Sequence, residues 1–183
     1  MSSNCHAAAQ ALLEAFQLYL SGDTAAQPTR AARAYISTAR AASSSREPVV
    51  AMSENGGKVA IILGNPAMVA AYRSGIPDNG KPFPDGARMA KIHWLPKTQQ
   101  RQPGQPKVPG TLHDVDFMVK DSKRFPDSGG WGWAVFEYEA ASDTFRPGNS
   151  TDSPPQGHDA KCGFACHTLV KNRDFVFTEY PKR

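Results

Sequence analysis

The chain of 183 residues has no stretch of about 18 consecutive apolar residues, so it is not expected to cross a membrane as a helix. It has only 3 cysteines. That number is odd, and Cys162 and Cys166 crowd beside His167, a pattern that argues against a structural disulfide framework and for local chemistry. Lys and Arg exceed Asp and Glu by 21 to 17, a net charge of +4, but the basic residues form neither a stripe nor an arginine-rich block. Nucleic acid is therefore not an expected partner. Met1 to Asn4 carries no Lys or Arg, and the apolar stretch Ala11 to Leu20 is interrupted by Glu14 and Gln17, so the beginning does not read as an export signal.

What is present is enough for one ordinary domain. Hydrophobic residues make up 40% of the chain, sufficient to bury a core without covalent staples. Residues 1–47 are rich in Ala, Ser and Arg and read as an appendage or leader, with a helix over Ala7 to Leu20 stopped by Gly22. From Pro48 the texture changes to short β-prone runs. Val49 to Met52 and Val59 to Leu63 flank Asn55-Gly56-Gly57 and predict a hairpin. Asn65 and Pro66 predict a helix start, Met68, Val69 and Tyr72 give it an apolar stripe, and Gly75 closes it. Strands are expected at Ala87 to Leu95, Thr111 to Val119 and Trp131 to Glu139, with loops at Pro96 to Gly110 and Pro147 to Gly157. A short helix is expected at the cysteine cluster, running to Lys171, with an aromatic tail from Asp174 to Tyr180. The sum is a β-rich α+β fold, mainly an antiparallel sheet with a few short helices, over residues 48–183.

Lys161-Cys162-Gly163-Phe164-Ala165-Cys166-His167 carries the strongest chemical signal. A covalently attached haem c needs two thiols to reach two vinyl groups and a histidine beside the second thiol to meet the iron. The usual spacing is C-x-x-C-H. Here a third residue separates the cysteines, and Gly163 is the one able to absorb it in a tight turn. A zinc site that adds His158 is a competing reading, weakened by the adjacency of Cys166 and His167. Buried free thiols form the plainest alternative, but leave the clustering unexplained. Cys5-His6 has no second cysteine nearby and is read as coincidence.

Three ordered blocks sharpen this reading: Lys81 to Lys91, Val119 to Pro126, and Cys162 to Tyr180. Together they resemble the cytochrome P-460 family, over about residues 48 to 183. The resemblance implies a β-rich domain, usually a homodimer, exported to the periplasm and holding one haem c per chain with an open sixth position. It implies oxidation of hydroxylamine to nitrogen oxides, with electrons passed to a soluble c-type cytochrome. A related branch, the β-type cytochromes c-prime, binds nitric oxide and other small gases instead. Carried over by position, Cys162 and Cys166 match the thioether cysteines and His167 the proximal ligand. Lys91 matches the lysine bonded to the macrocycle in hydroxylamine-oxidising members, and Asp116 falls, more loosely, where a distal carboxylate can stand.

If Ala87 to Leu95 is a strand, Met89, Lys91 and His93 share one face, while Ala90, Ile92 and Trp94 share the apolar other. By the same alternation Asp116 shares a face with Asp114 and Leu112, and a solvated acidic edge competes with a catalytic role. His93 and Met118 are candidate sixth ligands, which would make the protein a simple electron carrier. Phe83, Phe117, Trp131 and Trp133 are core candidates first and pocket walls second.

Overall fold

The computed structural model describes residues 49–147 and 161–181. The expected amino-terminal appendage and its helix, the Cys5-His6 pair, residues 148–157 of the expected loop, and His158 lie outside the described residues. Six strands form one antiparallel sheet in chain order: β1 (Val49–Asn55), β2 (Lys58–Gly64), β3 (Arg88–Thr98), β4 (Lys107–Lys120), β5 (Trp131–Glu139) and β6 (Thr144–Pro147). Helix α1 (Pro66–Arg73) connects β2 to β3, and α2 (Lys161–His167) follows the sheet. This is the expected β-rich α+β architecture. No helix among the described residues is long and apolar enough to cross a membrane.

Local chemistry explains most of these boundaries. The β1–β2 turn places Gly56 and Gly57 at φ 57° and 74°, the left-handed pair that a two-residue hairpin requires. Asn65 caps α1, its side-chain oxygen accepting from the Met68 amide at 3.0 Å and from the Arg88 amide at 3.1 Å. Its side-chain amide donates to the Gly86 carbonyl at 2.8 Å, so one residue ties the helix start to the start of β3.

The β3–β4 hairpin is longer than the sequence suggests. Both ends of the expected Pro96 to Gly110 loop belong to its arms, with Pro96 opposite Pro109 beside a register shift at Leu95/Pro96. Proline is tolerated where the ladder is already interrupted. Strand β6 is an addition: four residues carry too little alternation to be legible.

The register assigns the two faces. Ala90, Ile92, Val115, Phe117, Val119, Ala134 and Phe136 are buried together on one, as expected for the apolar side of β3. The opposite face is divided. Near one end Ile62, Met89, Met118, Trp131 and Trp133 form a second core with Met68, Val69 and Tyr72 of α1 and with Val176 of the carboxy-terminal segment. Beyond it the face becomes charged, with Lys91 opposite Asp116 and His93 opposite Asp114. Leu112 does not join them: two residues separate its partner pair from Asp114 on β4, but only one on β3, and the register shift at His93/Trp94 turns Leu112 to the other side, against the first core.

One buried ion pair fastens the carboxy-terminal segment to this frame. Lys120 Nζ lies 2.7 and 2.9 Å from the two Asp174 carboxylate oxygens, donates to the Gly129 carbonyl at 2.8 Å, and stands 5.1 Å from the Trp131 ring centroid. Asp174 also accepts from the Phe83 amide at 2.7 Å. With Lys120 only 4% exposed, removing one partner leaves an uncompensated charge. Lys120→Met is expected to lower unfolding free energy by about 3 to 5 kcal/mol. Urea unfolding of variant and parent checks this, and a loss under about 1 kcal/mol would show the pair to be dispensable.

Candidate haem site

Helix α2 lies against β5 through Trp133. The Trp133 ring centroid is 5.9 Å from that of Phe164, 5.6 Å from His167 and 6.2 Å from Phe175. Gly163 permits this approach: a Cβ there would lie 2.6 Å from Trp133 Cγ. The residue is helical, so its role is close packing and not the tight turn expected from the sequence. Positions 162 and 166 are four apart on this helix, one turn along the same side of its backbone. Cys166 is exposed and forms no disulfide.

His167 is oriented by its backbone surroundings. Its Nδ1 donates to the Phe175 carbonyl at 2.6 Å, which leaves Nε2 as the unprotonated, metal-binding nitrogen of the neutral ring. Burial pushes the imidazole below its ordinary titration range; the Phe175 carbonyl opposes this, and the charge of Lys91 adds to it. The result favours the neutral form that binds a metal ion. Phe175 reaches this place because Asp174 and Phe175 adopt left-handed backbone, at φ 50° and 62°. Such angles are uncommon for residues other than glycine. The Lys120–Asp174 pair and the bond from the Phe175 amide to the Val170 carbonyl, 3.1 Å, hold them there.

The rim around His167 is apolar and open. Leu169 is 80% exposed, Phe177 is 47% exposed with its ring centroid 5.1 Å from that of His167, and Phe164 is exposed. The buried indole nitrogen of Trp133 has no hydrogen-bond partner among the described residues.

Lys91, Asp116, His93 and Asp114 lie farther along the sheet face that carries Trp133. Asp114 is buried and accepts from His93 Nδ1, from Lys58 Nζ at 2.9 Å and from His113 Nδ1 at 2.7 Å. Burial alone would raise its carboxyl; the three donors outweigh that and hold it far below the usual carboxylate range. It is not part of a solvated acidic edge. Asp116 keeps 41% of its side-chain exposure, and partial burial raises its carboxyl, opposed by the charges of His93, Lys91 and Lys58 and assisted by Asp114. Met118 is packed in the second core, and His93 commits one ring nitrogen to Asp114. Phe83, Phe117 and Trp131 are core residues, while Trp133 is both core and wall.

Trp133 as the anchor of α2 was legible only as a strand aromatic. The Phe175 carbonyl and the Lys58 and His113 partners of Asp114 had no sequence signal, since each depends on a backbone turn or a strand register.

An imidazole with one nitrogen tied to backbone and the other open, set beside a cysteine and an uncovered apolar rim, is a donor set that fits a haem iron. The frame that carries it is an antiparallel sheet, so the class is a β-sheet cytochrome. The cytochrome P460 family profile matches residues 33–178, most of the chain, and the protein belongs to that family, whose members are haem proteins. No curated protein matches the chain.

Two outcomes follow for this site. Gly163→Ala is expected to cost roughly 1 to 3 kcal/mol by forcing α2 off Trp133, read from thermal unfolding; an unchanged midpoint would show that the helix is not seated there. Asp114 has a folded-state pKa below its unfolded value of about 3.9, so its contribution is fully present above that pH and is lost as pH falls toward the folded value. Asp114→Asn should therefore flatten the acid limb of stability between about pH 4 and pH 2, measured by urea unfolding across pH. Parallel acid limbs in variant and parent would contradict it.

Proposed function

We propose that the protein is a c-type cytochrome that oxidises hydroxylamine to nitrogen oxides, its haem attached through Cys162 and Cys166 with His167 as the axial ligand. The observation that carries this reading is the pairing of Lys91 with Asp116 across β3 and β4, on the sheet face whose neighbouring rungs bear Trp133 and meet His167. A protein that only bound nitric oxide or another small gas would be served by an apolar wall. This one presents a carboxylate with raised proton affinity.

When bound, the haem supplies an iron able to withdraw electrons from the substrate nitrogen and hand them to a soluble c-type cytochrome. The chain's own residues do the rest. Asp116 accepts the protons given up as the N–H and O–H bonds are oxidised, each electron removed being matched by a proton that needs an acceptor. Lys91 stands opposite that carboxylate and is the residue that the resemblance ties to the macrocycle. His167, kept neutral and aimed by the Phe175 carbonyl, would hold the iron through Nε2. Export to the periplasm and a homodimer complete the reading by family resemblance. Simple electron transfer is less well supported, because Met118 is packed between Met89 and Trp133, and His93 already serves Asp114.

Purified holoprotein is expected to reduce an artificial acceptor in a hydroxylamine-dependent reaction, and Asp116→Asn to lower kcat by about a hundredfold with its haem spectrum unchanged. Absence of turnover in protein with intact haem would sink the enzyme reading and leave the gas-binding one. Peptide mass spectrometry separates the two further: a haem peptide carrying Lys91 supports the enzyme, and a free Lys91 supports the carrier.

A further inference from the structure

We propose that His93 is a positioning residue for Asp116, clamped by Asp114 so that its imidazole stands beside that carboxylate on the pocket face. The inference rests on Asp116 serving as the proton acceptor of the proposed reaction, and it adds the group that governs this acceptor.

The geometry starts from an excess of donors. A buried histidine needs one acceptor, and a carboxylate that served only to satisfy it would need no more. Asp114 instead receives donors from three strands: Lys58 from β2, His93 from β3 and His113 from β4. Lys58 and His113 both reach Oδ2 and leave Oδ1 to His93. The carboxylate is thereby fixed at both oxygens, and so is the ring it holds. His93 is 8% exposed, with Ala60 and Asp114 as its register partners on the flanking strands. Its Nδ1 lies 3.8 Å from Asp116 Oδ2. That separation is too long for a hydrogen bond but well within the range over which a neighbouring charge moves a carboxyl.

The bulge at His113 makes this clamp. Because β4 carries one more residue than β3 between the His93 and Trp94 pairs, His113 is displaced from the ladder and its ring turns back onto the carboxylate of the next residue. The groups that face Asp116 are Lys91 and His93 from β3, Lys58 from β2 and Asp114 from β4, with Glu137 of β5 one rung farther, opposite Asp114. Of these neighbouring charges His93 lowers the Asp116 carboxyl most, with Lys91 and Lys58 adding to it and Asp114 opposing. In the range where a carboxyl titrates, an imidazole ordinarily carries its proton. His93, Asp114 and Asp116 also have their ligand atoms within 4.8 Å of one another, the grouping of a divalent-cation site. The Lys58 ammonium on Asp114 already supplies positive charge to that carboxylate, which favours the electrostatic role.

The test follows Asp116 itself and needs no turnover. In holoprotein without substrate, the protonated carboxyl band of Asp116 is identified by infrared spectroscopy from its loss in Asp116→Asn and is titrated against pH. His93→Gln is expected to raise its midpoint by about one pH unit, tenfold in proton affinity. His93→Lys, which keeps a cation at the position, is expected to bring the midpoint back to within about 0.3 unit of the parent. A midpoint unmoved by His93→Gln, or moved equally by His93→Lys, would overturn the proposal and leave His93 a packing residue. A second substitution covers a His93→Gln protein too unstable to titrate. In His93→Asn the same upward shift of the Asp116 band is expected where His93→Gln cannot be titrated, and no shift there would overturn the proposal as well. If the protein does not oxidise hydroxylamine, both titrations still report on His93. If it does, the acid limb of its rate profile moves upward in His93→Gln together with the carboxyl band.

Discussion

The salt bridge between Lys120 and Asp174 is the constraint on which the site depends, because it joins the three sequence blocks that carry the family resemblance. Lys120 belongs to the middle block, and Asp174 to the last. Asp174 takes the Phe83 amide from the first block, while Asp85 accepts from the Ser122 amide and hydroxyl at 2.9 and 2.7 Å. The backbone completes the junction through Gly86 to Lys120 and Lys120 to Ala87, both at 2.9 Å. Three segments far apart in the chain thus meet at one corner of the sheet. From that corner the left-handed turn at Asp174 and Phe175 projects the carbonyl that fixes His167. A ligand geometry at one end of the molecule is set by an ion pair two steps away.

The second core and the charged region share one sheet face, and the boundary between them runs across single rungs of the ladder. Gly64, Met89, Met118 and Trp133 form one rung; Ile62, Lys91, Asp116 and Val135 form the next; Ala60, His93, Asp114 and Glu137 form the third. Apolar packing therefore gives way to ionisable groups within two rungs, roughly 7 Å per step along the strand. Such a sharp change lets Trp133 seat α2 while Asp116, on the adjoining rung, retains the polarity needed for proton transfer. It also explains why β3 is buried on both faces along part of its length and cannot be described as having one wet side.

Much of this was legible from residue order. The Asn55-Gly56-Gly57 turn, the Asn65 cap with Pro66, the Trp131 to Glu139 strand and the alternation that puts Lys91 with Met89 and His93 are local, and local rules recover them. The extent of the β3–β4 hairpin was hidden because Pro96 and Pro109 look like breakers until they are seen facing each other. The side taken by Leu112 was hidden for a related reason: alternation fails silently at a bulge, and nothing in the Leu-His-Asp sequence announces one. In the sequence Gly163 signals conformational freedom, whereas its service is the absence of a side chain against Trp133. Partners set by tertiary register, such as Lys58 on Asp114 or the Phe175 carbonyl on His167, have no sequence signature at all.

The bulge at His113 has a further effect on how the molecule tolerates change. Strand pairing normally transmits a shift in one part of a hairpin to every rung beyond it, exchanging the residues of its two faces. Here the irregularities at His93/Trp94 and Leu95/Pro96 lie between the Lys91 and His93 rungs and the short outer arms that end at Thr98 and Lys107. They act as a mechanical clutch. The outer hairpin can lengthen, shorten or acquire a new tip without sliding Lys91 past Asp116, so variation at one end of the sheet is insulated from the chemistry at the other.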